Sequence, residues 1–323
     1  MAKLLTVVGA TGTQGLSVIN AVLADGSYKV RGLTRNPSSD KAAALGKRGV
    51  EVVKADINNE QSLVKAFEGS HAIFAITDFF EPFIAYGPDK AVEMEVIQGI
   101  NMARAASCIT NLEHYIWSTL PNCKKLSNGK YVVPHFEGKN WIDDYIRSDP
   151  ALLGKTTFFW ITWYGNNFGY PIFTPNFLKT ANAYIQLSPA QPDTPIKAIG
   201  DPYKNIGVFA HSILQHPDLT LHAQGRFVIA YSEDTTTGKL LSDWSELTSK
   251  PAAYVKTALE NFSAVWPRLG LEMGIMMAMW NELRDQSWSG EEGLLTREEL
   301  GIELSELTTV KDAYKAMGWD VLL

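Results

Sequence analysis

Through the first half of the chain, short apolar runs alternate with stretches of helical spacing. Leu4 to Val8 is an apolar run long enough for one buried strand, and Gly9 breaks it. Leu16, Ile19, Asn20 and Leu23 then follow at helical spacing. Tyr28 to Thr34 alternates as a strand does, Val50 to Ala55 predicts a third strand, and Gln61 to Phe67 a short helix. Ala72 to Ile76 is an apolar fourth strand, Asp89 to Ser107 a long helix, and His114 to Ser118 a fifth strand. A helix from about His135 to Arg147 leads to a β-branched and aromatic sixth strand, Thr156 to Trp163. Six alternations of strand and helix predict the α/β class: a Rossmann-type, doubly wound parallel sheet with right-handed crossovers.

Beyond Trp163 the alternation stops. Pro171, Pro175, Pro189, Pro192 and Pro195 interrupt the chain, which suggests excursions over a crevice. Asn205 to Gln215 and Pro251 to Val265 read as helices, and Arg226 to Ala230 as a further strand. In a helix from Leu269 to Leu283, residues Met273, Met276, Met277 and Trp280 form one soft apolar stripe. Such a stripe is either core or, methionine being adaptable, the lining of a pocket. Thr309 to Met317 reads as a small closing helix. Two units are expected: residues 1–165 for a dinucleotide and 166–323 for a substrate or partner, partly interleaved.

Composition narrows the class. The 323 residues carry a net charge of −6, which argues against direct nucleic-acid binding. No run of 18 apolar residues spans a membrane, and the chain opens on a strand, so a cytoplasmic location is expected. Cys108 and Cys123 are the only cysteines, and the six histidines lack ligand spacing, so no metal is expected.

The candidate chemistry begins at Gly9, Gly12 and Gly15, placed between a strand and a helix. Gly9 permits the turn, Gly12 lets a pyrophosphate approach, and Gly15 lets the helix sit close to the sheet. No acid occurs between Lys29 and Ser39, while Arg35 stands at the end of the second strand. A site for NAD places an acid there and one for NADP a cation, so NADP(H) is expected; the alternative is a solvated loop charge. Asp56 and Ile57 end the third strand and would lie near the adenine. Thr77 and Asp78 follow the fourth strand, where a doubly wound sheet faces its ligand. Short-chain dehydrogenases carry Tyr-x-x-x-Lys on the helix after the fifth strand; here it reads His135-Phe-Glu-Gly-Lys139. Lys139 is a candidate for the nicotinamide end, or a surface lysine. His135 is either a general acid or a helix-start residue without a chemical part. Ser118 stands where those enzymes keep a polar, substrate-orienting residue.

Four stretches resemble the NmrA-like family, the atypical short-chain dehydrogenases related to isoflavone-reductase-like enzymes. They are Gly-Ala-Thr-Gly-Thr-Gln-Gly, Thr34-Arg35-Asn36-Pro37, Ile76-Thr77-Asp78-Phe79-Phe80-Glu81, and Cys123-Lys-Lys-Leu through His135-Phe-Glu-Gly-Lys139. The resemblance is strong over residues 1 to about 170 and patterned afterwards. It implies an extended Rossmann fold binding NADP(H), with a smaller C-terminal α+β region closing the crevice. By position, Gly9, Thr11, Gly12, Thr13, Gln14 and Gly15 would hold the pyrophosphate and Arg35 the 2′-phosphate. Asp56 and Ile57 would flank the adenine, Thr77 meet the ribose, and Lys139 and Asn167 serve the nicotinamide end. Two departures are visible: Ser39 where relatives often carry a base, and no lysine in an apolar reading of Ile97 to Ile100. The second predicts a more apolar pocket. The family divides into reductases and redox sensors that regulate a protein partner. A reductase of a small apolar or aromatic substrate is expected here, with a lining drawn from Phe79, Phe80, Trp163, Tyr164, Phe168, Met273, Met277 and Trp280.

Overall fold

In the computed structural model, which describes residues 2–319, the strands run β1 (Lys3–Val7), β2 (Tyr28–Thr34), β3 (Glu51–Lys54), β4 (Ala72–Ala75), β5 (His114–Thr119) and β6 (Thr156–Ile161). They continue as β7 (Trp163–Tyr164), β8 (Asn176–Leu178), β9 (Ala183–Ser188), β10 (Pro195–Gly200), β11 (Arg226–Ala230), β12 (Glu233–Thr236) and β13 (Ala252–Lys256). The main sheet has the order β3-β2-β1-β4-β5-β6-β11, with every pairing parallel. The strand order reverses between β1 and β4, the point where doubly wound sheets open a crevice. β4, β5 and β6 are buried along their whole length, which is why they read as continuous apolar runs. Successive residues feed opposite cores: Phe74, Ile116 and Phe159 on one face, Ile73, Trp117 and Phe158 on the other.

Residues after 165 return to this sheet. β11 completes its edge beside β6. The Pro202–Gln215 helix lies on the Thr13–Asp25 helix at backbone distance: Gly207 donates its N–H to Ser17 Oγ at 2.8 Å, and a Cβ there would come 2.2 Å from the Ser17 carbonyl. Two small sheets, β12-β10-β7 and β13-β9-β8, make up the α+β remainder.

Two expectations about these elements need correction, and one further helix is added. The sixth strand ends at Ile161, because buried Thr162 turns both its N–H and its hydroxyl onto the Ala230 carbonyl; Trp163 then opens another sheet. Pro251 to Val265 is no single helix but β13 followed by a Leu259–Val265 helix; its Ala252–Lys256 half pairs in parallel with β9. The stretch after Asp78 coils into a Phe80–Tyr86 helix, with Asp78 Oδ1 accepting from the amides of Phe80 and Glu81.

Candidate functional site

Gly9, leaving β1, has φ of +66°, a backbone that favours glycine. The Gly12 amide closes the turn onto the Gly9 carbonyl at 2.9 Å. Gly12 then caps the Thr13–Asp25 helix without a side chain, and it is exposed. The first amides of that helix, on Thr13, Gln14 and Gly15, have no preceding turn to bond. Gly15 sits so close to the turn that a Cβ would be 2.3 Å from the Gly9 carbonyl oxygen. Thr11, between them, is half-buried. The result is a bare backbone cradle for an anion at the sheet's switch point. Gln14 leans out of it to donate to the Tyr164 hydroxyl at 2.7 Å, and burial pushes that phenol up to about 12.

Arg35 directly follows β2 with its side chain 70% exposed, in a two-point ion pair with Glu81 at 2.7 and 2.9 Å. The bond to Arg35 holds the Glu81 carboxyl below its usual range. Asp78 and Asp56 add further negative field at the guanidinium. The acid-free window around Arg35 is therefore a property of the sequence and not of the space: three carboxylates reach it from other strand ends. Asp56 itself is exposed and accepts from the amide and side chain of Asn58, while Ile57 is half-buried and its carbonyl is held by Asn101.

Thr77, Ser118 and Lys139 do come together. Lys139 Nζ donates to Thr77 Oγ1 at 2.9 Å and to the Ser118 carbonyl at 3.4 Å, and lies 5.2 Å above the Trp117 ring. The Thr77 hydroxyl in turn donates a hydrogen bond to Glu95 Oε1 at 2.7 Å, and the same carboxylate oxygen lies 3.4 Å from Nζ. Glu95 is fully buried, and its other oxygen, Oε2, has no partner among the described residues. Gly138 makes room for it, since a Cβ there would be 2.5 Å from that oxygen. The long Pro88–Ser107 helix thus presents a buried acid and Gln98 inward, correcting the expected apolar wall from Ile97 to Ile100, of which Ile97 is exposed. One turn on from Lys139, Asp143 accepts from the Trp117 indole at 2.7 Å and the Thr119 hydroxyl at 2.9 Å. Burial raises its carboxyl to about 7 against those bonds. Asn140, Asp143, Asp144 and Arg147 line a polar cavity of about 200 Å³ there.

His135 is buried at the start of the Pro134–Arg147 helix. Its Nδ1 pairs with Glu272 Oε1, and its backbone N–H donates to the same oxygen at 3.0 Å. Phe79 and Phe80 pack against the ring with centroids 5.9 and 5.5 Å away. Of the expected lining, Trp163 meets Trp280 edge to face at 5.8 Å, and Met273 and Met277 are buried beside them in one core. Phe168 packs instead on Tyr314 at 5.2 Å. Asn167 is half-buried in a short 3-10 helix, Gly165–Gly169. Glu95 and Glu272 are the residues the sequence did not single out. The signal for Glu272 was a lone acid in Leu269–Trp280, and for Glu95 its spacing from Ala91, Gln98 and Met102, all buried.

Comparison with known proteins bears on the family and the fold. The chain is 29% identical over 288 residues to an NmrA-like family domain-containing protein of Dictyostelium discoideum, covering 87% of this chain and 88% of that one. It is 27% identical over 303 residues to the NmrA-like family domain-containing oxidoreductase cpsB of Aspergillus campestris, covering 90% and 85%. Among solved structures, NmrA, a negative transcriptional regulator seen in complex with NAD, superposes with a TM-score of 0.76 at 20% identity, covering 98% of this chain and 96% of that one. The NmrA-like family itself matches residues 1–314. With the parallel sheet, the glycine cradle and a match of that extent, the chain belongs to the NmrA-like family.

Proposed function

We propose that this chain binds NADP(H) and reduces a largely apolar organic substrate at a C=O, C=N or conjugated C=C group. The observation that carries the reading is the cradle from Gly9 to Gly15, which follows β1, standing beside the Thr77–Glu95–Lys139 cluster, which gathers past the carboxyl end of the neighbouring parallel strand β4. The residues present fit a dinucleotide: the cradle offers backbone N–H groups and no acidic side chain, and no Cβ can be added at Gly15. Gly9, Thr11, Gly12, Thr13, Gln14 and Gly15 would hold the pyrophosphate, and Arg35 the 2′-phosphate after release from Glu81. Asp56 and Ile57 would border the adenine, Thr77 and Asp78 the ribose, and Lys139 and Asn167 the nicotinamide end. Bound there, the reduced nicotinamide supplies a hydride. Lys139 is held by Thr77, Ser118 and Glu95 with its charge at a fixed place, where it orients ribose hydroxyls and stabilises negative charge on the substrate. The oxidoreductase name of the Aspergillus relative supports the reaction class.

A second reading, a non-catalytic NADP(H) sensor acting on a protein partner, is favoured by the histidine at position 135 where a tyrosine would serve. One experiment separates the two. NADPH binding is followed by its fluorescence, then its oxidation by absorbance against ketones, quinones, imines and enones. The reductase reading expects protein-dependent oxidation with one class. Lys139→Ala should then cost about 100-fold or more in turnover while NADPH affinity stays within about threefold. Tight binding without oxidation favours the sensor, and no binding overturns both.

A further inference from the structure

A buried carboxylate in an apolar helix is costly unless paired. Glu272 is 3% exposed in the Leu269–Leu283 helix, whose other buried positions are Gly270, Met273, Gly274, Met276, Met277, Met279 and Trp280. Its partners come from His135, on a helix from the other half of the chain, through Nδ1 and the backbone amide. Occupation of Nδ1 fixes the ring and leaves Nε2, for which no described residue provides a hydrogen bond. His135 and Lys139 are four residues apart on one helix, so they share a face, one turn from each other. Lys139 Nζ donates to Thr77 Oγ1 and the Ser118 carbonyl and lies 3.4 Å from Glu95 Oε1, and on the reductase reading its remaining N–H serves the ribose, so the proton for the substrate is sought at another group.

We propose that Glu272 is a positioning residue and that His135 Nε2 donates the proton in the reduction. This rests on the reductase reading. As the substrate carbon takes up hydride, the π electron pair of its C=O or C=N bond passes to the heteroatom, or through the enone to its oxygen. That atom forms a new bond to the Nε2 proton, and the N–H pair returns to the imidazole. His135 is left neutral, with Nδ1–H on Glu272, and regains its proton from water. Phe79, Phe80 and Phe136 enclose the ring on its other contacts, so aromatic carbon rather than a second acceptor surrounds it.

His135→Asn is the discriminating variant, because an asparagine amide can keep the Nδ1-type bond to Glu272 while removing Nε2. A purely structural tie between the two helices predicts unchanged turnover. The proposal expects a fall in kcat of about 100-fold, with KM and NADPH affinity within about threefold. Glu272→Gln should lower kcat similarly, with partial recovery in Glu272→Asp. Nitrogen NMR of the 15N-histidine-labelled full chain supplies a readout independent of turnover. The wild type should show a proton on His135 Nδ1 in a strong carboxylate bond, and Glu272→Gln should lose that signal. Wild-type-like kcat in His135→Asn, or absence of the Nδ1–H signal, overturns the proposal. No NADPH oxidation by the wild type with any acceptor overturns the reductase reading, and the proton transfer with it, while the NMR still tells whether the dyad forms.

Discussion

At the scale of a residue, Arg35 would enter the proposed phosphate contact already paired. Its guanidinium already has two bonds to Glu81, so an incoming 2′-phosphate must displace a carboxylate. An exposed pair of this kind contributes about 0.2–1 kcal/mol. Glu81→Gln should therefore tighten NADPH by about two- to fivefold and leave NADH nearly unchanged. Arg35→Ala should weaken NADPH by about tenfold or more, again sparing NADH. Titration of each variant with both nucleotides checks this, and equal effects on the two would remove phosphate selection from Arg35. Asp56 and Asp78 add negative field to the same guanidinium from the loops after β3 and β4, which no window of the sequence around Arg35 could reveal.

At the scale of an element, the helix that carries His135 and Lys139 is shaped by what lies beneath it. Gly138 leaves the space that Glu95 occupies. Gly138→Ala pushes a methyl to 2.5 Å from a carboxylate oxygen. It should destabilise the protein by about 1–3 kcal/mol. The same substitution should cost clearly less in a Glu95→Ala background, and denaturant unfolding of the four variants would expose simple additivity if the contact is irrelevant. The parallel strands and the glycine turn were legible in the sequence because local signals set them: apolar runs, a period of two, and glycines at fixed steps. Lys139 was legible from its place after β5. Glu95 and Glu272 were not, since their partners stand 18 and 137 residues away and no local pattern records such a pairing. The same holds for Ala252–Lys256, whose strand character comes from β9 rather than from its own composition. Thr162, which ends β6 early, is governed by a carbonyl at residue 230.

At the scale of the whole molecule, two buried titratable groups set opposite slopes of stability against pH. Asp143 has a folded value of about 7, far above that of an exposed aspartate. Between about pH 4 and 7 the folded chain thus holds the extra proton, and stability falls as pH rises through that window. His114, pushed down to about 3 by burial, is neutral in the fold. Its contribution is present above about pH 6.5 and is lost as pH falls, because the unfolded chain takes the proton first. Its ring pairs with Thr157, whose hydroxyl donates to the Thr220 carbonyl, so His114 Nε2 must be the donor. The two slopes oppose each other over most of the acid range. Relative to wild type, Asp143→Asn should gain about 4 kcal/mol of stability between pH 4 and pH 8. Urea unfolding across that range tests it, and a constant offset between the two proteins would sink the account. A last consequence comes from the order in which the sheet is filled. On a ribosome, β1 to β6 emerge and can pair while Phe158 and Trp160 still lie along an open outer edge of β6. That edge closes only when Arg226–Ala230 has left the exit tunnel. For that interval of synthesis the growing chain offers a free, apolar strand edge to chaperones and to neighbouring nascent chains.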